Sequence, residues 1–298
     1  MPRDIQAHTV INYLRPSFTG LLLLVSLCSN AEPLLWQADK GEQRLYLMGT
    51  IHVGDTKLDP FSRKVTEALS QADSLIVETR LNEKVRFPQK PQPSAKQMLD
   101  EEHLAALIAI IKQASLVPST ILSLPPWQAA LTLQQWQFQS LNYQPEFSID
   151  MQFVRWANTH QLPIVGLETL QFQIDLFVTQ PDHGLAMLKQ TLQEWSDSEA
   201  SIRCLVESWR MGDIKNLEAV LATVTYNEAF YQSFIFERNE RWVKVLSQDY
   251  PVGTYFVAVG AMHLVGEHSV IELLRQLGYD ISLMSTPSRA HCSTSSDS

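Results

Sequence analysis

Two short apolar runs, Leu34-Leu-Trp-Gln-Ala38 and Arg44-Leu-Tyr-Leu-Met48, flank Asp39-Lys40-Gly41. Runs of this length on either side of a turn-forming Asp and Gly predict a β-hairpin. Residues 60–71 then carry Phe61, Val65, Ala68 and Leu69 at helical spacing, and Ser74-Leu-Ile-Val-Glu78 is a short strand with an apolar centre. Strand, helix and strand in succession point to a sheet that is largely parallel and covered by helices.

The alternation lengthens further along. Pro88, Pro91 and Pro93 mark a connection over residues 81–97, and helical spacing follows at 104–111 and 127–138, punctuated by Pro118, Pro125 and Pro126. The Trp and Leu stripes of those two segments read as core. Ser148-Ile-Asp150 opens a helix to about His160, Leu162 to Leu167 is a strand ending at Glu168, and residues 183–246 are mainly helical with a break near Gly212-Asp213. Thr254 to Val259 returns to strand, followed by a helix over 269–277 and a strand over 280–284. The expected fold is α/β, a mainly parallel or mixed sheet covered by helices, forming one domain over 32–284 with a helical insertion at about 97–146. The Ser-rich stretch 285–298 reads as a fraying end.

At 298 residues and 45% hydrophobic composition the chain can bury a large core. Its 23 basic side chains against 32 acidic ones leave a formal charge of −9. Nucleic acids and anionic membrane surfaces are therefore not the expected partners, because both require a cationic surplus. Arg3 and Arg15 precede the apolar run Gly20 to Leu27, and Ser29 and Ala31 are small where a signal peptidase needs them. Residues 1–31 thus read as a signal peptide, cleaved after Ala31. The run falls short of the roughly 20 residues of a membrane-spanning helix, so the mature chain is expected in the periplasm or secreted, with no stable membrane insertion. Bulky Leu27 argues against lipid attachment at Cys28. Cys204 and Cys292 would remain, either as a disulfide or as a buried hydrophobe and a separate tail thiol.

Candidate chemistry gathers at strand ends. His52, Glu78, Glu168 and His263 each stand at or just beyond the C-terminal end of an expected strand, the edge where open α/β sheets bind ligands. Gly49-Thr-Ile-His52-Val-Gly54 and Gly260-Ala-Met-His263-Leu-Val-Gly266 repeat one design of strand, Gly, two residues and His. Gly49 and Gly260 would allow tight turns and close approach of a ligand. Imidazole with carboxylate suits Mn, Fe, Co or Zn, and equally a metal-free pair in which one group activates water and the other donates a proton. No Gly-x-Ser-x-Gly elbow, Walker loop or Gly-x-Gly-x-x-Gly fingerprint is present.

The two His loops, with Val77-Glu78, Ile149-Asp150, Leu167-Glu168 and Glu237-Arg238-Asn239 in order between them, resemble the TraB/PrgY/GumN family over residues 34–284. That family is grouped with the Tiki metalloproteases and, more remotely, with erythromycin esterases and ChaN-like haem-binding proteins. The resemblance implies that His52, Glu78 and His263 are catalytic or metal-binding positions for a divalent ion such as Mn, Co or Zn. It makes Arg238 an active-site residue, with Gly49, Gly260, Asp150 and Glu168 in support. Charge pattern alone reads Arg238, beside Glu237, Glu240 and Arg241, as part of a solvated helix face, and Asp150 as a favourable charge at a helix start. The implied function is an exported, metal-dependent hydrolase or peptidase acting on a peptide or small molecule. The alternative is a protein that sequesters a peptide or a haem-like ligand at the same site without turnover.

Overall fold

The computed structural model describes residues 31–80, 83–87, 90–223, 228–250 and 252–292. Residues 1–30 of the expected signal peptide lie outside them. The expected hairpin forms from β1 (Leu35–Lys40) and β2 (Gln43–Thr50), turning at Gly41 with φ +60°. Next come α1 (Arg63–Gln71), capped by the Ser62 hydroxyl, and β3 (Ser74–Val77). A helical stretch follows: α2 (Ala95–Met98), α3 (Glu101–Gln113), α4 (Pro118–Ser123) and α5 (Pro126–Ser140). Then α6 (Ile149–His160) leads to β4 (Ile164–Gly166). Beyond it lie α7 (Leu170–Val178), α8 (Leu185–Gln193), α9 (Ser198–Met211), α10 (Ile214–Thr223) and α11 (Glu228–Tyr231). A π-helical turn over Gln232–Phe236 runs into α12 (Glu237–Gln248). The chain closes with β5 (Gly253–Gly260), α13 (Val270–Gln276) and β6 (Asp280–Leu283).

The sheet is mixed, in the order β4-β3-β5-β2-β1-β6. The four strands β4, β3, β5 and β2 are mutually parallel, while β1 is antiparallel to both β2 and β6. Parallel strands covered on both faces are apolar at successive positions, and β5 shows it: Phe256, Val257, Ala258 and Val259 are all buried. Their side chains alternate between two helical layers. Leu45, Leu47, Ile76, Val257 and Val259 pack with residues of α10, α12 and α13, including Trp242, Leu246 and Leu274. Tyr46, Met48, Leu75, Phe256 and Ala258 pack on the other face with α1, α6 and α9 through Leu69, Phe153 and Trp209.

A third core lies beside this sandwich. Leu107 and Ile111 of α3 and Leu133 of α5 pack against Met187, Leu188 and Leu192 of α8. The helices expected as an insertion at 97–146 thus begin at Ala95 and share their interior with a segment that follows β4. The chain end differs from a fraying tail as far as Cys292. Ser288 N–H bonds to Met211 O, Ala290 N–H to Asp213, and a disulfide joins Cys292 to Cys204 of α9. Residues 293–298 lie outside the described residues.

Candidate active site

Register brings the two His loops together. Parallel β2 and β5 pair Gly49 with Val259 and Thr50 with Gly260, so both loops leave the sheet side by side. A methyl group on Gly49 would stand 2.9 Å from the Cα and Cβ of Ala261, which is why the crossing needs glycine there. On the other side of β5, β3 ends at Val77, and Glu78 accepts the Gly260 N–H at 2.7 Å through Oε1. A methyl group on Gly260 would lie 3.1 Å from Glu78 Oε1, 3.5 Å from His263 Cδ2 and 3.9 Å from His52 Nε2. Three side chains drawn from residues 52 to 263 therefore surround one backbone point.

Arg238 binds the buried half of this cluster. Its Nη2 donates to Glu78 Oε2 at 2.6 Å and to Glu168 Oε1 at 2.6 Å, and its Nε donates to Glu168 Oε1 at 3.0 Å. Nη1 donates to Phe234 O and, at 3.1 Å, to His263 Nε2. Trp242, one turn along α12, lies under the guanidinium at 4.6 Å and donates Nε1–H to Glu168 Oε2. Gln173 of α7 donates to both carboxylates at 2.9 Å. These bonds fix a tautomer. A guanidinium can only donate, so His263 Nε2 is the acceptor and Nδ1 carries the proton, which goes to Asn239 Oδ1 at 2.7 Å. Asn239 is oriented in turn by its own donation to His268 O.

His52 has the opposite setting. Its side chain is 71% exposed, and Nδ1–H donates to Asp150 Oδ2 at 3.0 Å while Thr50 donates to Asp150 Oδ1 at 2.6 Å. Asp150 reaches them from the first turn of α6, which Ser148 caps. The two imidazoles consequently differ in charge. Burial, then Arg238, pushes His263 down to about 3, keeping it neutral, whereas the Asp150 carboxylate holds His52 above the ordinary imidazole range. Burial works against the charge on Glu78, but Arg238 and the Gly260 N–H more than offset it, so this carboxyl lies well below its ordinary value.

A cavity of about 450 Å³ opens over the exposed half. His52, Glu78 and Asp150 line it with Gln173, and Val77, Pro145, Met151 and Val154 give it apolar walls. Of the four strand-end residues, His52 and Glu78 thus face the cavity, while Glu168 and His263 stand behind it, joined to Glu78 through Arg238. Charge pattern misplaces Arg238: it is buried with Asn239, whereas Glu237, Glu240 and Arg241 face outward. Gln173, Trp242 and Asn239 were not singled out as functional positions by the sequence, although the four-residue spacing of Arg238 and Trp242 puts both on one helix face.

A divalent metal does not fit the donors as they stand. The Nε2 lone pair of His263 and Oε2 of Glu78 both receive Arg238, and among the described residues no three His, Cys, Asp or Glu side chains converge as a metal-holding group. The expected triad of His52, Glu78 and His263 is therefore a cluster around Gly260 rather than a set of open ligands.

A mixed α/β sheet carrying two paired His loops over a buried Glu–Arg–Glu network defines the class of protein. The chain belongs to the TraB/PrgY/gumN family, whose model matches residues 34–283. It is 32% identical over 237 residues to YbaP of Escherichia coli K12, named as uncharacterized, covering 79% of this chain and 89% of that one. Shorter matches reach proteins named as metalloproteases: 28% identity over 99 residues with a TIKI homolog of Nematostella vectensis, covering 26% of this chain and 21% of that one, and 45% over 53 residues with TIKI2 of Danio rerio, covering 17% and 10%. No solved structure matches the chain.

Proposed function

We propose that this chain is a hydrolase that cleaves a peptide, amide or ester bond at the mouth of the cavity. The observation that carries the reading is the placement of the Asp150-oriented His52 and the ionised Glu78 around Gly260, facing one cavity. In this scheme Glu78 takes a proton from water as its oxygen attacks the substrate carbonyl carbon. His52, charged through its contact with Asp150, donates a proton to the departing nitrogen or oxygen as that bond breaks. Passing the proton from Glu78 to His52 restores the starting state, leaving an acid and an amine or alcohol. Arg238 keeps Glu78 ionised and in place. The disulfide supports the expected export, because such bonds persist in oxidising compartments.

The names of the TIKI relatives favour a second scheme in which Mn, Co or Zn assists the same hydrolysis. A peptide and ester library assayed with chelator, and separately with each metal, tests both. Under chelator, turnover is expected and should fall by about 10²–10⁴-fold in His52→Ala and Glu78→Gln. Turnover only with added metal would select the second scheme. Tight ligand binding without turnover in any condition would replace hydrolysis by sequestration.

A further inference from the structure

We infer that Arg238 occupies the place of a divalent cation, so that its network and metal binding at His52, Glu78 and His263 are mutually exclusive. The surroundings of both imidazoles are those of metal ligands. His52 and His263 each anchor Nδ1–H on an oxygen, of Asp150 and of Asn239, which turns Nε2 inward as outer-shell partners of a ligating histidine do. What Nε2 of His263 meets is Nη1 of Arg238 at 3.1 Å, and what Glu78 Oε2 meets is Nη2 at 2.6 Å. A metal bond to either atom is about 2.0–2.2 Å long, so an ion and the guanidinium cannot share them.

Charge supports the same assignment. Arg238 supplies one positive charge to two buried carboxylates, Glu78 and Glu168, both bonded to it and to Gln173, with Gly260 N–H added at Glu78 and Trp242 at Glu168. Without the guanidinium the pocket would hold two uncompensated negative charges beside an unoccupied imidazole lone pair. That is a demand for a dication. The guanidinium is itself tied down by Phe234 O and Trp242, which makes it a fixed occupant rather than a passing one. The inference concerns what fills the cation position, and it stands whether or not the site turns over a substrate.

Metal uptake by the full chain, stripped with chelator and dialysed, tests it. Wild type and the Arg238→Lys variant, titrated with Mn²⁺, Co²⁺ or Zn²⁺, should take up no equivalent at this site and show no rise in Tm. Arg238→Met should be destabilised when metal-free, bind one equivalent where wild type binds none, and regain stability as it binds. Adding His263→Ala should abolish that gain. One equivalent bound by wild type and lost in His263→Ala would overturn the inference. So would an Arg238→Met protein that gains no metal, or one that stays unfolded with every ion, since an ion should replace the missing charge.

Discussion

Glu78 is held between opposing forces, burial against its charge and Arg238 in favour, and the balance has a pH signature. Because its folded-state pKa is depressed below the ordinary 4.5, ionised Glu78 contributes stability that is fully present above that value. The contribution is lost as pH falls through the range below it. Glu78→Gln removes the titrating group and leaves Arg238 with a weaker partner, so the variant should be less stable than wild type by about 3–5 kcal/mol at neutral pH. The gap should close steadily between about pH 4.5 and pH 3. Urea unfolding of both proteins across that range checks it; a gap constant with pH would mean that Glu78 does not titrate with folding.

At the scale of elements, α9 reaches the first His loop through one side chain. Trp209 donates Nε1–H to Gly49 O at 2.8 Å inside the core. Trp209→Phe keeps most of the ring but leaves that carbonyl unpaired, and should cost about 1–3 kcal/mol in denaturant unfolding. A loss below a few tenths would show that the loop relaxes to find another donor. Strand ends were legible in the sequence because buried parallel strands are unbroken apolar runs, so Glu78, Glu168 and the Gly-x-x-His loops stand out where the runs stop. The inward face of α12 was not. Arg238 stands among Glu237, Glu240 and Arg241, and a run of charges reads as a solvated face. Its four-residue step to Trp242 is a helix-face signal, but nothing local shows that two carboxylates from other strand ends, Glu78 and Glu168, wait on that face. Gln173 was hidden for another reason: its role depends on reaching Glu78, 95 residues earlier, together with Glu168, a meeting that no local pattern encodes.

For the whole molecule, the stretch after β6 acts as a strap. It is bonded to Met211, Asp213 and Glu207 and locked by the disulfide to α9, 88 residues away in sequence. Serine-rich composition reads as a loose end; the pairing that secures it depends on the tail's path over α9. Cys292→Ser should cost about 2–5 kcal/mol, measured by guanidinium unfolding, and wild type treated with dithiol should match the variant. An unchanged midpoint would make the bond incidental. Intact mass tests the expected export as well: a periplasmic or secreted product should show the oxidised pair and begin at Glu32, and a product retaining Met1 would refute cleavage after Ala31.

The position of β5 bears on how the molecule comes into being. This strand arrives after residue 252 yet lies between β2 and β3, both made more than 170 residues earlier. Until it inserts, β2 and β3 each lack the strand they pair with on that side, and neither the Glu78–Gly260 bond nor the pairing of the two His loops exists. Pairings of such long sequence separation form late and slowly, and unpaired strand edges invite association with other chains. A growing or unfolded polypeptide therefore carries no assembled site at all. The chemistry proposed for His52 and Glu78 thus waits until nearly the entire chain is in hand, so a fragment lacking its last fifty residues should show no turnover and be prone to aggregate.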